Sequence, residues 1–408
     1  MTQPIWSRLR RRVAVIVLIM LALFVAVLTW QNTSLHGLPD IGDPFDVAAF
    51  SAFQLRDQDN AYVLYRQAAA KYHNKYGAFP TDWTTATAAD KHWLEENREA
   101  LELWRQGADR PDASFVKPAD VTVETDLEIP QRVRFLARLS ALESSRLESL
   151  GDYRGSWIWH RAALRASQHL GRHGTLIERL MGVNTHNHAA TRITAWAKQP
   201  QVDAAMLRQA LEDVHAAGAM ASSQSELVKC EYLTFIQTME RPDLLKALIE
   251  GLETPEGSWR RQRVALHHVE AFLKREPERS RRLLRLVVAN WLPYCDRPKS
   301  ARPPRLGTHQ AVYITDSMAP DELRPLTAES LNSWIESSLF LRALLPAFKS
   351  TFTATDSERA RQATLVIDVA SELYRREHGE PPESPEALVG PYLKSLPDGY
   401  VPTEKPSP

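Results

Sequence analysis

An uninterrupted apolar run near the start constrains this chain more than any other feature. Residues 13–28 contain no charge, glycine or proline, and Arg8, Arg10, Arg11 and Arg12 stand directly in front of them. As a helix, the stretch Val13 to Trp30 rises roughly 27 Å, enough for the hydrocarbon core of a bilayer. It reads as a membrane span, with Trp30 as an anchor at the far interface. A cleaved signal peptide is the rival reading. That would need a shorter apolar core and small residues before the cut, whereas this segment leaves through Val27, Leu28, Thr29 and Trp30.

The charge pattern sets an expected orientation. After the four arginines the next basic residue is Arg56. The positive-inside bias therefore puts the N-terminus in the cytoplasm and the rest of the chain outside, in the periplasm if the source is bacterial. With 50 basic and 50 acidic residues in all, the part beyond Trp30 carries a formal charge of −4. Near-neutrality argues against nucleic acid, which needs a concentrated basic footprint. The arginines between Arg260 and Arg285 are interleaved by Glu270, Glu276 and Glu278, as on a solvated helix face.

Beyond the span the dominant period is helical. Tyr62, Tyr65, Ala69 and Tyr72 recur at three or four residues, and Leu94, Leu101 and Trp104 at multiples of that spacing. Further helices are expected at about 130–150, 154–171, 174–198, 203–221, 223–240, 259–274, 277–292, 328–346, 356–378 and 385–395. Only Phe115 to Val123 and Val312 to Thr315 look strand-like. The expected class is all-α, a transmembrane helix followed by an extracytoplasmic body of helical hairpins. In linear order the chain reads as a basic cytoplasmic segment (1–12), the span (13–30) and a stalk with proline and glycine breakers (31–56). A main helical body (57–292), a Pro-rich loop (293–325), a C-terminal helical subdomain (326–401) and a disordered tail (402–408) follow.

Two segments carry resemblances. Arg138 to Gln168 resembles one tetratricopeptide unit, with Gly151-Asp152-Tyr153 as the turn and small Ser144, Ser156 and Ala163 where two helices approach. His160 stands where that motif has a packing aromatic. The spacing Tyr72-x4-Gly77-x2-Pro80-x-Asp82 recurs as Tyr374-x4-Gly379-x2-Pro382-x-Ser384, a helix ended by left-handed glycine with a cap for the next turn. The second copy, continuing through Pro385, Leu388, Tyr392, Leu396, Asp398 and Tyr400, resembles a tail segment of uncharacterised single-pass membrane-anchored bacterial helical proteins. It is also similar to a segment of type II secretion pseudopilins. The N-terminus lacks the Gly-Phe leader junction and the glutamate within the apolar helix of those proteins. The resemblance implies a membrane-anchored bacterial protein and carries no residue roles.

Catalytic signatures are sparse. There is no Gly-x-Ser-x-Gly elbow, phosphate-binding glycine loop or dinucleotide fingerprint, and no cofactor is expected. His169, His173, Glu178, His186 and His188 form the densest group of candidate metal ligands, His169 and His173 being four residues apart and so expected on one helix face. The helical zinc signature His-Glu-x-x-His is absent, and hydrogen-bonded or surface histidines are the preferred reading. Cys230 and Cys295 are the only thiols, and two separate thiols are expected in preference to a disulfide. Most of the eleven tryptophans should be core or groove residues. The expected function is a membrane-tethered binding or scaffold protein with a protein or peptide partner and no enzymatic activity. The alternatives are a metal-dependent envelope hydrolase using the 169–188 histidines, or a component of an envelope or secretion complex.

Overall fold

A computed structural model describes residues 5–74, 80–251, 260–302 and 328–400. Every regular element among them is helical. In chain order these are α1 (Ile5–Leu35), α2 (Val47–Ser51), α3 (Ala61–Lys71), α4 (Ala88–Glu96), α5 (Arg98–Ala108), α6 (Glu128–Ser149), α7 (Tyr153–His169) and α8 (Leu176–Ala197). Then come α9 (Ala204–Gly218), α10 (Gln224–Glu240), α11 (Pro242–Gly251), α12 (Arg260–Leu273), α13 (Glu276–Cys295), α14 (Ala328–Glu336) and α15 (Leu341–His378). No strand occurs among the described residues, only isolated bridges joining Asn60 to Asp112 and Val389 to Leu393. Phe115 to Val123, which alternates like a strand, instead holds one 3-10 turn at Pro118–Asp120. Val312 to Thr315, Pro303-Pro304, Gly77 and the tail at 402–408 lie outside the described residues.

Short polar side chains set the helix starts. Asn60 and Asp203 accept backbone N–H groups at the heads of α3 and α9, and Thr87 with Asp90 and Thr175 with Glu178 form capping boxes on α4 and α8. Helix α15 runs unbroken for 38 residues, joining stretches that the sequence separates at 347–355. That stretch is rich in β-branched threonine, a weak helix former. Here Thr351, Thr353 and Thr355 each donate to the carbonyl four residues back, at 2.9 to 3.0 Å, so their hydroxyls are satisfied inside the helix. The helix stops at Gly379 (φ +84°), whose N–H reaches Arg375 O, as the repeated glycine spacing requires. The helix expected at 385–395 shrinks to a 3-10 turn, Pro385–Leu388.

The described residues form two compact units. One takes in residues 1–45, 235–291 and 308–346, the other 46–234, 292–307 and 347–408. In the first unit, α1 contains the stretch Val13–Leu35, the one segment among the described residues long and apolar enough to cross a membrane. Ile16, Leu18, Phe24 and Trp30 on it are more than half exposed. The residues that follow are held down. Gln31 donates to Phe272 O (3.0 Å), Ser34 to Lys274 O (2.9 Å) and Arg282 to Leu38 O (3.0 Å), while Arg285 pairs with Asp40 (2.6 Å) and Asp43 (3.1 Å). Buried Glu276 accepts from Ser280 Oγ, Ser338 Oγ and the Leu339 N–H, tying the head of α13 to the α14–α15 connection.

The second unit centres on α3 and α5 to α9, with the later part of α15 against them. Trp104, Trp157, Trp196, Tyr65 and Leu136 lie in its core, and the rings of Trp157 and Trp196 sit 4.7 Å apart. Helices α6 and α7 form the hairpin expected around Gly151, with Ser144, Ser156 and Ala163 buried. Helix α8 packs tightly against the end of α7 at Gly182, where a Cβ would lie 2.6 Å from both Ser167 O and Leu170 O. Only glycine fits that approach. Cys230 and Cys295 are two free, buried thiols.

Candidate binding site

The five residues nominated from the sequence take separate positions in the second unit; His188 lies on α8, where burial lowers its pKa. His169 and His173 do not share a helix face, because α7 ends at His169, Gly171 turns left-handed (φ +80°) and His173 itself has φ +53°. A Cβ at Gly171 would lie 2.3 Å from Arg179 Cα, so the turn is wedged against α8. This glycine, two residues past His169, ends the helix before His173 and so breaks the i, i+4 relation.

His169 and His173 are each absorbed by their surroundings. His169 is fully buried, its Nε2 donating to Arg110 O (3.1 Å) and its Nδ1 accepting from Tyr65 OH (2.7 Å). Burial first, then the nearby Arg165 charge, lower its pKa to about 3, so the ring is neutral. His173 lies against Phe53, the rings tilted with centroids 4.0 Å apart, and between two carboxylates, with Asp112 3.3 Å from Nε2 and Glu226 on Nδ1. Burial acts to lower its pKa, but those hydrogen bonds and charges outweigh it and raise the value to about 9. Because the carboxylates occupy opposite edges of the ring, they do not converge on a common point. Glu178 caps α8, accepting from the Thr175 N–H, and burial pushes its pKa up. Among the described residues no group of three His, Cys, Asp or Glu side chains is arranged to hold a metal ion.

His186 leads to a different arrangement. Gln362 on α15 donates its amide N–H to Val214 O (2.8 Å), which turns its Oε1 toward His186 Nε2, also at 2.8 Å. Nε2 therefore carries the proton, and Nδ1 is left as a buried acceptor with no partner among the described residues. Burial lowers the pKa of this ring, keeping it neutral.

Beside this pair lies a cavity of about 360 Å³, bounded by α7, α8, the α9–α10 connection and α15. Glu358, 3% exposed, crosses its wall, taking hydrogen bonds from Gln168 Nε2 (3.1 Å) and Arg179 Nη2. Gln168, Arg179 and Ser222 are among its lining residues, and Gln168 Oε1, Arg179 Nη1 and Ser222 Oγ are buried without a hydrogen-bond partner among the described residues. Gln224 stands behind Thr355 with its Oε1 in the same condition, while its Nε2 donates to Thr355 Oγ1 (2.8 Å). Each such group costs about 1–3 kcal/mol if left unmade, and folded proteins hold few of them. Here acceptors and donors cluster around one space.

Of these residues only His186 was nominated from the sequence. Glu358 and Gln362 lie about 180 positions from the α7–α8 residues they meet. One signal was available. The stripe Thr355, Glu358, Gln362, Val366, Val369, Leu373 keeps helical spacing throughout yet is polar in its first half. Comparison with family models, curated proteins and solved structures finds no match for the chain.

Proposed function

We propose that this chain is a membrane-tethered binding protein. Helix α1 serves as an uncleaved anchor with its N-terminus in the cytoplasm, and the helical body works outside as stacked hairpins without catalysing a reaction. The observation that supports binding most directly is the cluster of buried, unpartnered donors and acceptors around the α7–α8–α15 cavity. A peptide unit carries a donor and an acceptor side by side. It would pair Gln168 Oε1 with an N–H, and Arg179 Nη1 and Ser222 Oγ with carbonyls, so we assign a short peptide segment of a partner protein as the occupant. The four arginines ahead of the span and their absence from residues 31–55 support the outward placement of the body.

The test uses the full chain in lipid nanodiscs, panned against a displayed random-peptide library. Peptides should be enriched, and their binding should be lost in Gln168→Leu and Ser222→Val proteins that keep the wild-type circular dichroism spectrum. Failure to enrich any sequence, or equal binding by both variants, would remove the peptide assignment. Protease protection in sealed vesicles tests the orientation separately, with the body expected on the face opposite the N-terminus.

A further inference from the structure

Beyond α1, one helix turns its large apolar residues outward. Leu266, Val269 and Phe272 of α12 recur every third residue, and each is more than half exposed. Ala271, on the opposite face, is buried. The other exposed large apolar residues outside α1, among those described, stand singly or as the pair Ile177 and Leu180. Scattered apolar side chains are ordinary on a protein surface, whereas a stripe of them along one helix marks contact with something apolar.

The place of the stripe in the first unit says what that is. Helix α12 ends against the exit of α1, where Gln31 donates to the carbonyl of Phe272 itself (3.0 Å) and Ser34 to that of Lys274 (2.9 Å). Gln31 follows Trp30, the residue that suits the far lipid interface, so Phe272 stands at the level where the span leaves the bilayer. Val27, one turn before Gln31 on the same face, is half-buried, while every other residue from Val13 to Trp30 is exposed. The chain thus meets its anchor at this level and just inside it. Arg275, which follows Lys274, is exposed and makes no ion pair or side-chain hydrogen bond among the described residues. An arginine fork matches phosphate, the anion that lipid headgroups carry at this depth. A protein surface could also cover the stripe, but it would have to do so at the height where lipid already lies.

We propose that α12 is an interfacial helix, its Leu266, Val269 and Phe272 face sunk into the lipid surface beside the anchor, with Arg275 on the headgroup phosphates. This rests on the reading of α1 as a membrane anchor. A helix lying in the interface buries its apolar face roughly 5–10 Å, at the boundary of headgroups and acyl chains. Helix α12 then gives the first unit a second hold on the membrane, and the stripe is covered without any protein partner.

The test places the full chain in phosphatidylcholine nanodiscs and attaches an environment-sensitive fluorophore at one introduced thiol, Met20→Cys in mid-span or Val269→Cys on the stripe. Both native thiols are buried, and both chosen positions are more than half exposed, so labelling leaves the core alone. Lipids bearing a nitroxide high or deep on the acyl chain serve as quenchers within the bilayer, and iodide serves in the water. The label at Val269 should be quenched about twofold or more by the shallow nitroxide, little by the deep one, and be shielded from iodide. The label at Met20 should respond to the deep nitroxide. Adding Leu266→Ser and Phe272→Ser, both at exposed positions, should release the Val269 label from lipid and open it to iodide. A Met20 label untouched by either nitroxide would remove the anchor reading and this proposal with it. A quenched Met20 label beside a Val269 label open to iodide would overturn the proposal and leave the anchor. Shielding of Val269 from both nitroxides and iodide would put a protein surface, such as a second copy of the chain, on the stripe and also overturn it.

Discussion

Replacing Glu358 with alanine removes the single carboxylate that Arg179 and Gln168 share. Arg179 and Glu358 side chains are 5% and 4% exposed, so the variant strands a guanidinium out of water. Removing one partner of a buried ion pair costs about 3–5 kcal/mol, and the Gln168 amide loses an acceptor worth about 1 kcal/mol more. At about 2–4 °C per kcal/mol for a domain of this size, the melting temperature should fall on the order of 10 °C. The double variant Arg179→Met/Glu358→Leu removes both charges and fills the space with apolar atoms. It should recover most of the loss, because an apolar pair of similar volume is often as stable as a buried ion pair. The measurement is a thermal melt of the full chain in detergent micelles, followed by circular dichroism and tryptophan fluorescence. A Glu358→Ala melt within 1 °C of wild type would show that the pair holds nothing. A double variant as unstable as the sum of the single losses would show that the charges are not coupled.

Other outcomes follow from geometry described above. Gly182→Ala should cost on the order of 2 kcal/mol in urea unfolding, because its new methyl would meet two backbone carbonyl oxygens at 2.6 Å that no rotamer change can move. His173 has its pKa raised from 6.5 to about 9, so its stabilising contribution is complete below about pH 6.5 and is lost as pH climbs through 9. Asp112 has its pKa lowered from 3.8 to about 2: burial opposes this, but His173 and Arg172 override it, so its contribution is lost only as pH falls through 2. The melting difference between wild type and His173→Gln should therefore be largest near pH 6 and vanish by pH 10. Burial pushes the thiol of Cys230 well up and that of Cys295 to about 12, so neither should react with a maleimide at pH 7 until the chain unfolds, as intact-mass spectrometry would read.

Helix type and extent were legible where apolar period and caps agree, as in α6 to α9, because local patterning and tertiary burial favour the same residues there. Legibility failed where tertiary contacts overrode local preference. The threonines of α15 argue for a break, but their hydroxyls bond within the helix. The chemistry was harder to read than the fold. His169 and His173 stood out because they are close in sequence, and Gly171 separates them in space. Glu358 and Gln362 join His186 and Arg179 only through folding, and no spacing rule relates residues so far apart.

The strap that follows α1 has a consequence for reach. Ten unrestrained residues would let a body wander with a root-mean-square span of about 18 Å. Here Arg282 and Arg285 grip Leu38, Asp40 and Asp43, so the chain leaves α1 directly into a clamp. On the proposed anchored reading, the first unit rides at one fixed height above the lipid surface. A unit mounted this way samples a thin layer of its compartment, and whatever it meets must come to that layer.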